Sequence, residues 1–339
     1  MLKKDIYVVS LLDKVFNDIP IEKKEIQIKL KSNLIEILSE EAFEYLFGNA
    51  DNKKIKKIID RASDLAHTGL GKYANKYSLN QSIFEKVFKN ENSKDIYFYS
   101  LESLNLSSIF PKKNINRKLE SYEMLKYFRK MIEELSEIKD SKQITYILEK
   151  YLWNISYDNS NKSKCISLFN YIKTTSAISV TIFKLIDKKI IKISDLRSNK
   201  IEKKLFLLIG LDLSGIQNFI FNINSKKASK SLKGRSIYLG LLSRIISKYI
   251  IKELDLCKSN IILNGGGSFY ILAPIYQKKK IEDLRNRIIE KLLKAHQKEI
   301  YINISTIELE IKDIKLINKK WKKLINKLYR GKYKKYSKF

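Results

Sequence analysis

The chain has 339 residues, enough for about two domains of ordinary size. No apolar run approaches the roughly 20 residues of a membrane helix, and Cys165 and Cys257 are too few and too far apart for a disulfide framework or a local zinc knuckle. The formal charge of +30, from 67 Lys and Arg against 37 Asp and Glu, argues against an acidic or neutral surface and for a polyanionic partner such as nucleic acid.

At the N-terminus, Asp5 and Asp13 flank a short apolar stretch and no small-residue cleavage site follows, so no signal peptide is expected. A cytoplasmic chain without membrane contact is the expectation. In KKIKKIIDRASDLAH (53–67), Ile55, Ile58, Ile59, Ala62 and Ala66 recur at helical spacing. Residues 99–114 read as extended or irregular, with Pro111 biasing Phe110 away from the helical region. SYEMLKYFRKMIEELSEI (121–138) predicts a second amphipathic helix, and LFNYIKTTSAISVTIFKLI (168–186) is apolar enough for a buried one.

The character changes at residue 204. KLFLLIGLDLS (204–214) is a continuous apolar run, the pattern of a buried strand. Residues 235–254 predict a helix with Tyr238, Leu241, Leu242, Ile245, Ile246, Tyr249 and Ile250 on its apolar face. A strand at 259–264, a triple-glycine turn and a strand at 268–273 come next. A helix around 281–296, carrying Leu284, Ile288 and Leu292, and a strand at 299–309 complete the order. This is β-α-β-β-α-β, the ferredoxin-like unit. The predicted fold is therefore α+β: a helical region over 1–112, a helical connection over 113–200, a ferredoxin-like palm over 201–315 and a basic C-terminal tail over 316–339.

That tail holds ten Lys or Arg and no acid in its last 21 residues, with Trp321, Tyr329, Tyr333 and Tyr336 interleaved like the stacking platforms of single-strand binders. Lys319, Lys320, Lys322 and Lys323 are its candidate RNA-phosphate contacts. The competing reading is a solvated tail. Lys, Ile and Asn are inflated together and nine of the 67 basic residues are Arg, as AT-rich coding would produce.

Catalytic palms of this topology hold two Mg²⁺ ions between an Asp at the end of the first strand and acids on the central hairpin. Asp212 stands where the first-strand Asp belongs, but the hairpin offers Gly265, Gly266, Gly267 and Ser268 where carboxylates are needed. One carboxylate cannot hold two divalent ions, so no metal site and no catalytic residue are expected in this chain. The DLSGIQ stretch, with Asp212, Ser214, Gly215 and Gln217, still offers backbone N–H groups suited to phosphate, and the glycines let a ligand approach closely. Lys230, Lys233 and Arg235 are further candidates for phosphate or RNA contact. Singly, the glycines fit an ordinary tight turn and DLSG a capped helix start; together, in this order, they favour a degenerate nucleotide site. His67 and His296 are the two histidines, too few for an HD-type phosphohydrolase centre, and His67 is followed by Thr68 instead of Asp.

LDLSGIQNFIFNI, ASKSLKGRSIYLGLL and LNGGGSFYILAP, in that order, resemble the first palm of the large signature subunit of type III-A CRISPR effector complexes. Upstream, ASDLAHTGLG, SIFEKV, SLNLSSIFP and ISLFNYIKTTSAISV resemble the end of that family's HD domain and its helical connection, so the likeness covers roughly residues 55–339. The resemblance implies a truncated or degenerate HD remnant within 1–112. It also implies an ATP site shared with a second, GGDD-bearing palm that makes cyclic oligoadenylate, with any Mg²⁺ or Mn²⁺ held by that partner. Asp212, Ser214, Gly215, Gln217 and the 265–268 turn would line one wall. Implied partners are the other half of the large subunit, further effector subunits, and guide and target RNA. The chain then reads as the front half of a split subunit, or a truncated product, that is not catalytic alone. The rival readings are a stand-alone metal-dependent cyclase or HD-type nuclease, and a general basic nucleic-acid-binding protein.

Overall fold

The computed structural model describes residues 3–48, 52–67, 78–82, 96–113, 120–157, 166–197, 203–222 and 228–332. They fall into two compact units, Met1–Ser179 and Val180–Phe339.

The first unit is helical. Its elements are α1 (Lys3–Asp18), α2 (Lys23–Ile37), α3 (Glu40–Phe47), α4 (Lys53–Ala66), α5 (Ser121–Ser136), α6 (Ser141–Leu152) and the first part of α7 (Leu168–Asp187), with a short antiparallel pair β1 (Tyr97–Phe98) and β2 (Lys112–Lys113). Local chemistry sets the helix starts. The Asn52 side chain accepts from the Lys54 and Ile55 amides, and Asp140 forms a capping box with Gln143 at α6. The predicted apolar face of α4 is buried at Ile55, Ile58, Ile59 and Ala62, joined by Leu65. α5 packs on α2 and α6, and Arg129 grips Glu25 through two bonds of 3.1 and 3.3 Å.

The second unit is an antiparallel sheet of four strands, β3 (Lys204–Ser214), β4 (Ile261–Gly265), β5 (Ser268–Pro274) and β6 (Tyr301–Glu310), in the order β4-β5-β3-β6. Between them lie α8 (Ile216–Phe221), α9 (Ala228–Glu253) and α10 (Lys278–His296), giving the β-α-β-β-α-β order read from the sequence. β3 is central and buried on both faces, which is why it reads as an unbroken apolar run. Leu207, Ile209, Leu211 and Leu213 join a core with Ile246 and Ile250 of α9 and Leu284 and Ile288 of α10.

The other face of β3 corrects the tail expectation. Residues read as a basic tail form α12 (Ile317–Lys332), preceded by the short α11 (Ile311–Lys315). α12 lies on β3 and β6, burying Leu324 and Leu328. Gly210 makes room for it: a Cβ there would sit 2.9 Å from Leu324 Cδ2 and 3.0 Å from Leu328 Cδ1. Trp321 packs on Tyr270, ring centres 4.3 Å apart, instead of standing free as a stacking platform. Tyr329 is exposed, and Tyr333 and Tyr336 lie outside the described residues.

The predicted face of α9 holds at Ile246 and Ile250, with Leu242 and Tyr249 packed against the core, and is corrected at Tyr238, Leu241 and Ile245, which are exposed. The helix's buried residues are Leu239, Ser243, Ile246, Ser247 and Ile250, while Leu241 (49% exposed) and Ile245 (62%) face outward. Hydrogen bonding turns the helix. Ser243 Oγ donates to Asn264 Oδ1 at 3.0 Å, and Asn264 Nδ2 donates to Ser247 Oγ at 2.9 Å, so two serines face β4 where the apolar pattern alone would place larger residues. No helix among the described residues is long and apolar enough to cross a membrane.

Candidate functional site

The triple glycine closes the β4–β5 hairpin. Gly265 pairs with Ser268, leaving Gly266 and Gly267 as a two-residue loop with φ of 60° and 80°. Two positive φ values are the mark of a type I′ turn, whose twist matches that of the strands and which favours glycine at both positions. Gly267 has a further reason: a Cβ would lie 2.5 Å from Ile216 Cδ1. Gly265 differs: beyond its chain neighbours, no heavy atom of the described residues lies within 4 Å of where its Cβ would be. The fold needs two of the three glycines, and the third leaves open space over the turn.

Asp212 faces this turn from β3, directly opposite Ser268 in the register. Ser268 Oγ donates to Asp212 Oδ1 at 2.8 Å, and Lys332 Nζ, from the last residue of α12, lies 2.6 Å from Asp212 Oδ2. One carboxylate oxygen is thus hydrogen-bonded by a hydroxyl, and the other, buried and without a hydrogen bond among the described residues, faces an ammonium as an ion pair. The residues present do not fit a two-metal centre, because the hairpin brings no second carboxylate. Among the described residues no group of three or more His, Cys, Asp or Glu is placed to hold a metal ion.

The remaining candidates are distributed unevenly. Ser214 is buried at the end of β3, its hydroxyl without a hydrogen-bond partner among the described residues. Gly215 adopts φ 90°, and a Cβ there would also strike the Glu299 carbonyl; it opens the six-residue α8, on which Gln217 is exposed. Arg235 is held within the fold: it donates to the Phe219 carbonyl and lies over that ring at 5.1 Å. Lys230 and Lys233 are exposed on the first turns of α9. On α12, Lys319, Lys322 and Lys323 are exposed, whereas Lys320 pairs with Asp313 at 3.1 Å. The structure therefore joins Asp212, Ser268 and the glycine turn, and adds Lys332.

Sequence reasoning missed two features here. One is Lys332, whose signal was its place four residues after Leu328 and eight after Leu324. The other is a cleft of ≈ 700 Å³ beside Gly215, lined in part by Asn218, Phe219, Asn222, Leu293 and Gln297. Beside Phe219, His296 Nε2 meets the Tyr238 hydroxyl at 2.8 Å, consistent with a helix-end histidine.

In the helical unit, His67 Nδ1 is hydrogen-bonded to the Tyr157 hydroxyl, and Tyr157 stacks on Tyr171 at 3.9 Å. The imidazole is part of an aromatic cluster. Burial raises the Asp13 carboxyl above its ordinary range, partly offset by Lys14.

Residues 205–339 match the family model described as Csm1 subunit domain B. The CRISPR system single-strand-specific deoxyribonuclease Cas10/Csm1 (subtype III-A) of Methanocaldococcus jannaschii is 35% identical over 265 residues, 69% of this chain and 33% of that protein. The chain is a partial-length relative of Csm1-type large subunits. The Thermococcus onnurineus Cas10/Csm1 is 34% identical over 180 residues, 52% of this chain and 22% of its own length. A crystal structure of Csm1 of T. onnurineus superposes with a TM-score of 0.76 at 22% identity, covering 98% of this chain and 50% of Csm1. A Csm1–Csm4 cassette in complex with cA3 gives 0.77 at 22%, covering 99% and 49%. The α+β fold is thus that of Csm1, and the chain spans about half of each solved Csm1 and a third or less of these two curated relatives.

Proposed function

We propose that the chain is a non-catalytic component of a type III-A CRISPR effector complex, forming one wall of an ATP site completed by a GGDD-bearing palm on another polypeptide. The observation that carries this reading is Asp212, whose carboxylate is bound by Ser268 and Lys332 beside an open glycine turn. Such a wall offers backbone approach and no pair of metal ligands, so the acids must come from the partner. Related support comes from Csm1–Csm4 cassettes solved with AMPPNP, with one ATP, and with cA4.

Within that role the chain's residues bind and position. The turn at Gly265 and Gly266 lets a nucleotide lie close to the main chain, while Ser268 fixes the Asp212 carboxylate. Exposed Lys230, Lys233, Lys319, Lys322 and Lys323 would meet the phosphates of guide or target RNA. A Csm4-type subunit is a further proposed partner, and the complex would work in the cytoplasm.

The test is reconstitution. The purified chain and a GGDD-bearing partner half are each incubated with ATP and Mg²⁺, then together, and cyclic oligoadenylate is measured. Product only in the mixture is expected. Synthesis by this chain alone would sink the non-catalytic reading, and unimpaired synthesis by the partner without it would sink the shared site.

A further inference from the structure

The Asp212 site contains a positive charge of its own. Lys332 Nζ is 2.6 Å from Asp212 Oδ2; that carboxylate oxygen is buried, while the Lys332 side chain is 38% exposed and remains reachable. The lysine is delivered by a built support. Leu324 and Leu328 are buried against the Gly210 side of β3, Asn303 Nδ2 donates to the Leu328 carbonyl, and Lys332 follows one helical step later on the same row. An ammonium carries three donors and no acceptor. The ammonium faces the carboxylate as an ion pair without a hydrogen bond to Oδ2, which leaves its donors for a second anion.

We propose that Lys332 is the resident cation of this site. It occupies the charge position that a divalent ion would take at Asp212, and it offers its N–H donors to a phosphate of a nucleoside triphosphate. The palm then accepts phosphate without a metal of its own, and Lys332 is a ligand-binding residue. The ligand part of this inference rests on the nucleotide-wall reading above; the exclusion of a divalent ion from Asp212 does not.

The experiment has two readouts on the full chain. Binding of AMPPNP is titrated with EDTA and with Mg²⁺, and Mn²⁺ binding is followed by electron paramagnetic resonance. The wild type is expected to bind AMPPNP equally with and without Mg²⁺ and to hold no Mn²⁺ at Asp212. Lys332→Met should weaken AMPPNP binding about tenfold or more and gain a Mn²⁺ site that Asp212→Asn removes; Lys332→Arg should keep the affinity. If Lys332→Met fails to fold, Asp212→Asn decides, because releasing the ammonium from its carboxylate should tighten AMPPNP severalfold.

Unchanged AMPPNP affinity in Lys332→Met, or in Asp212→Asn where Lys332→Met does not fold, would overturn the phosphate role while leaving the nucleotide reading intact. A wild-type Mn²⁺ site lost in Asp212→Asn would overturn the resident cation. A wild type that binds no AMPPNP, either alone or mixed with the GGDD-bearing partner half, would end the phosphate role together with the nucleotide reading. The Mn²⁺ measurements would still decide whether Lys332 keeps metal from Asp212.

Discussion

Leu324 of α12 rests where Gly210 of β3 has no side chain, and a Cβ at that glycine would come within 2.9 Å of Leu324 Cδ2. This contact sets how closely the last described helix approaches the central strand. Gly210→Val should overpack it and cost about 1–3 kcal/mol, and Leu324→Ala should cost about 2–5 kcal/mol through the cavity it leaves. The double variant should lose less than the sum, since the new methyls enter the space the leucine vacates. Urea unfolding of the four proteins measures the coupling, and strict additivity would mean the two side chains do not meet.

The hairpin glycines separate by role. Gly267→Ala places a side chain at φ 80° and against Ile216, and should destabilise by about 1–3 kcal/mol. Gly265→Ala meets open space and should stay within about 0.5 kcal/mol of wild type. If the turn is a nucleotide wall, Gly265→Ala should nevertheless weaken AMPPNP binding while its denaturation midpoint is unchanged.

The orientation of α9 gives a third contrast. Ile246→Ala removes a buried side chain (6% exposed) and should cost about 2–5 kcal/mol. Leu241→Ala, at 49% exposure, should cost less than about 0.5 kcal/mol. Equal losses at the two positions would restore the orientation that apolar spacing alone suggests.

Glu308 on β6 provides a pH test. Hydrogen bonds from Lys278 and Lys204, with the charge of both ammonium groups, pull its carboxyl down to about 2. A depressed carboxylate contributes its stability above its unfolded value, near 4.5, and loses it as pH falls toward 2. Wild type should therefore lose more stability than Glu308→Gln between those values. The difference should be about 0.2–1 kcal/mol, because the group is near the surface, and should shrink in high salt.

Much of the fold was legible because periodicity carries it. The helices at 53–67 and 121–138, the buried run of β3 and the hairpin flanking the glycines all follow from spacing. α9 was partly misphased because Ser243 and Ser247 face inward to bond Asn264, and a pattern of apolar residues does not register hydrogen bonds. α12 was hidden by its own charge, since Leu324 and Leu328 are few among ten basic neighbours. Asp212, Ser268 and the turn were identified from local sequence. Lys332 was not, because its meeting with Asp212 depends on the docking of a helix.

On α12, Lys320, Leu324, Leu328 and Lys332 form one row with a spacing of four, an ion pair at each end and two leucines between. The helix works as a gauge block cut to a fixed number of turns. One residue inserted after Leu328 would swing the terminal ammonium by about 100° around the axis, and Asp212 would lose its counter-ion with every side chain at the site unchanged. The charge state of the pocket is thus set by counting residues along a distant element, so insertions and deletions in α12 can retune it where no substitution in the pocket has occurred.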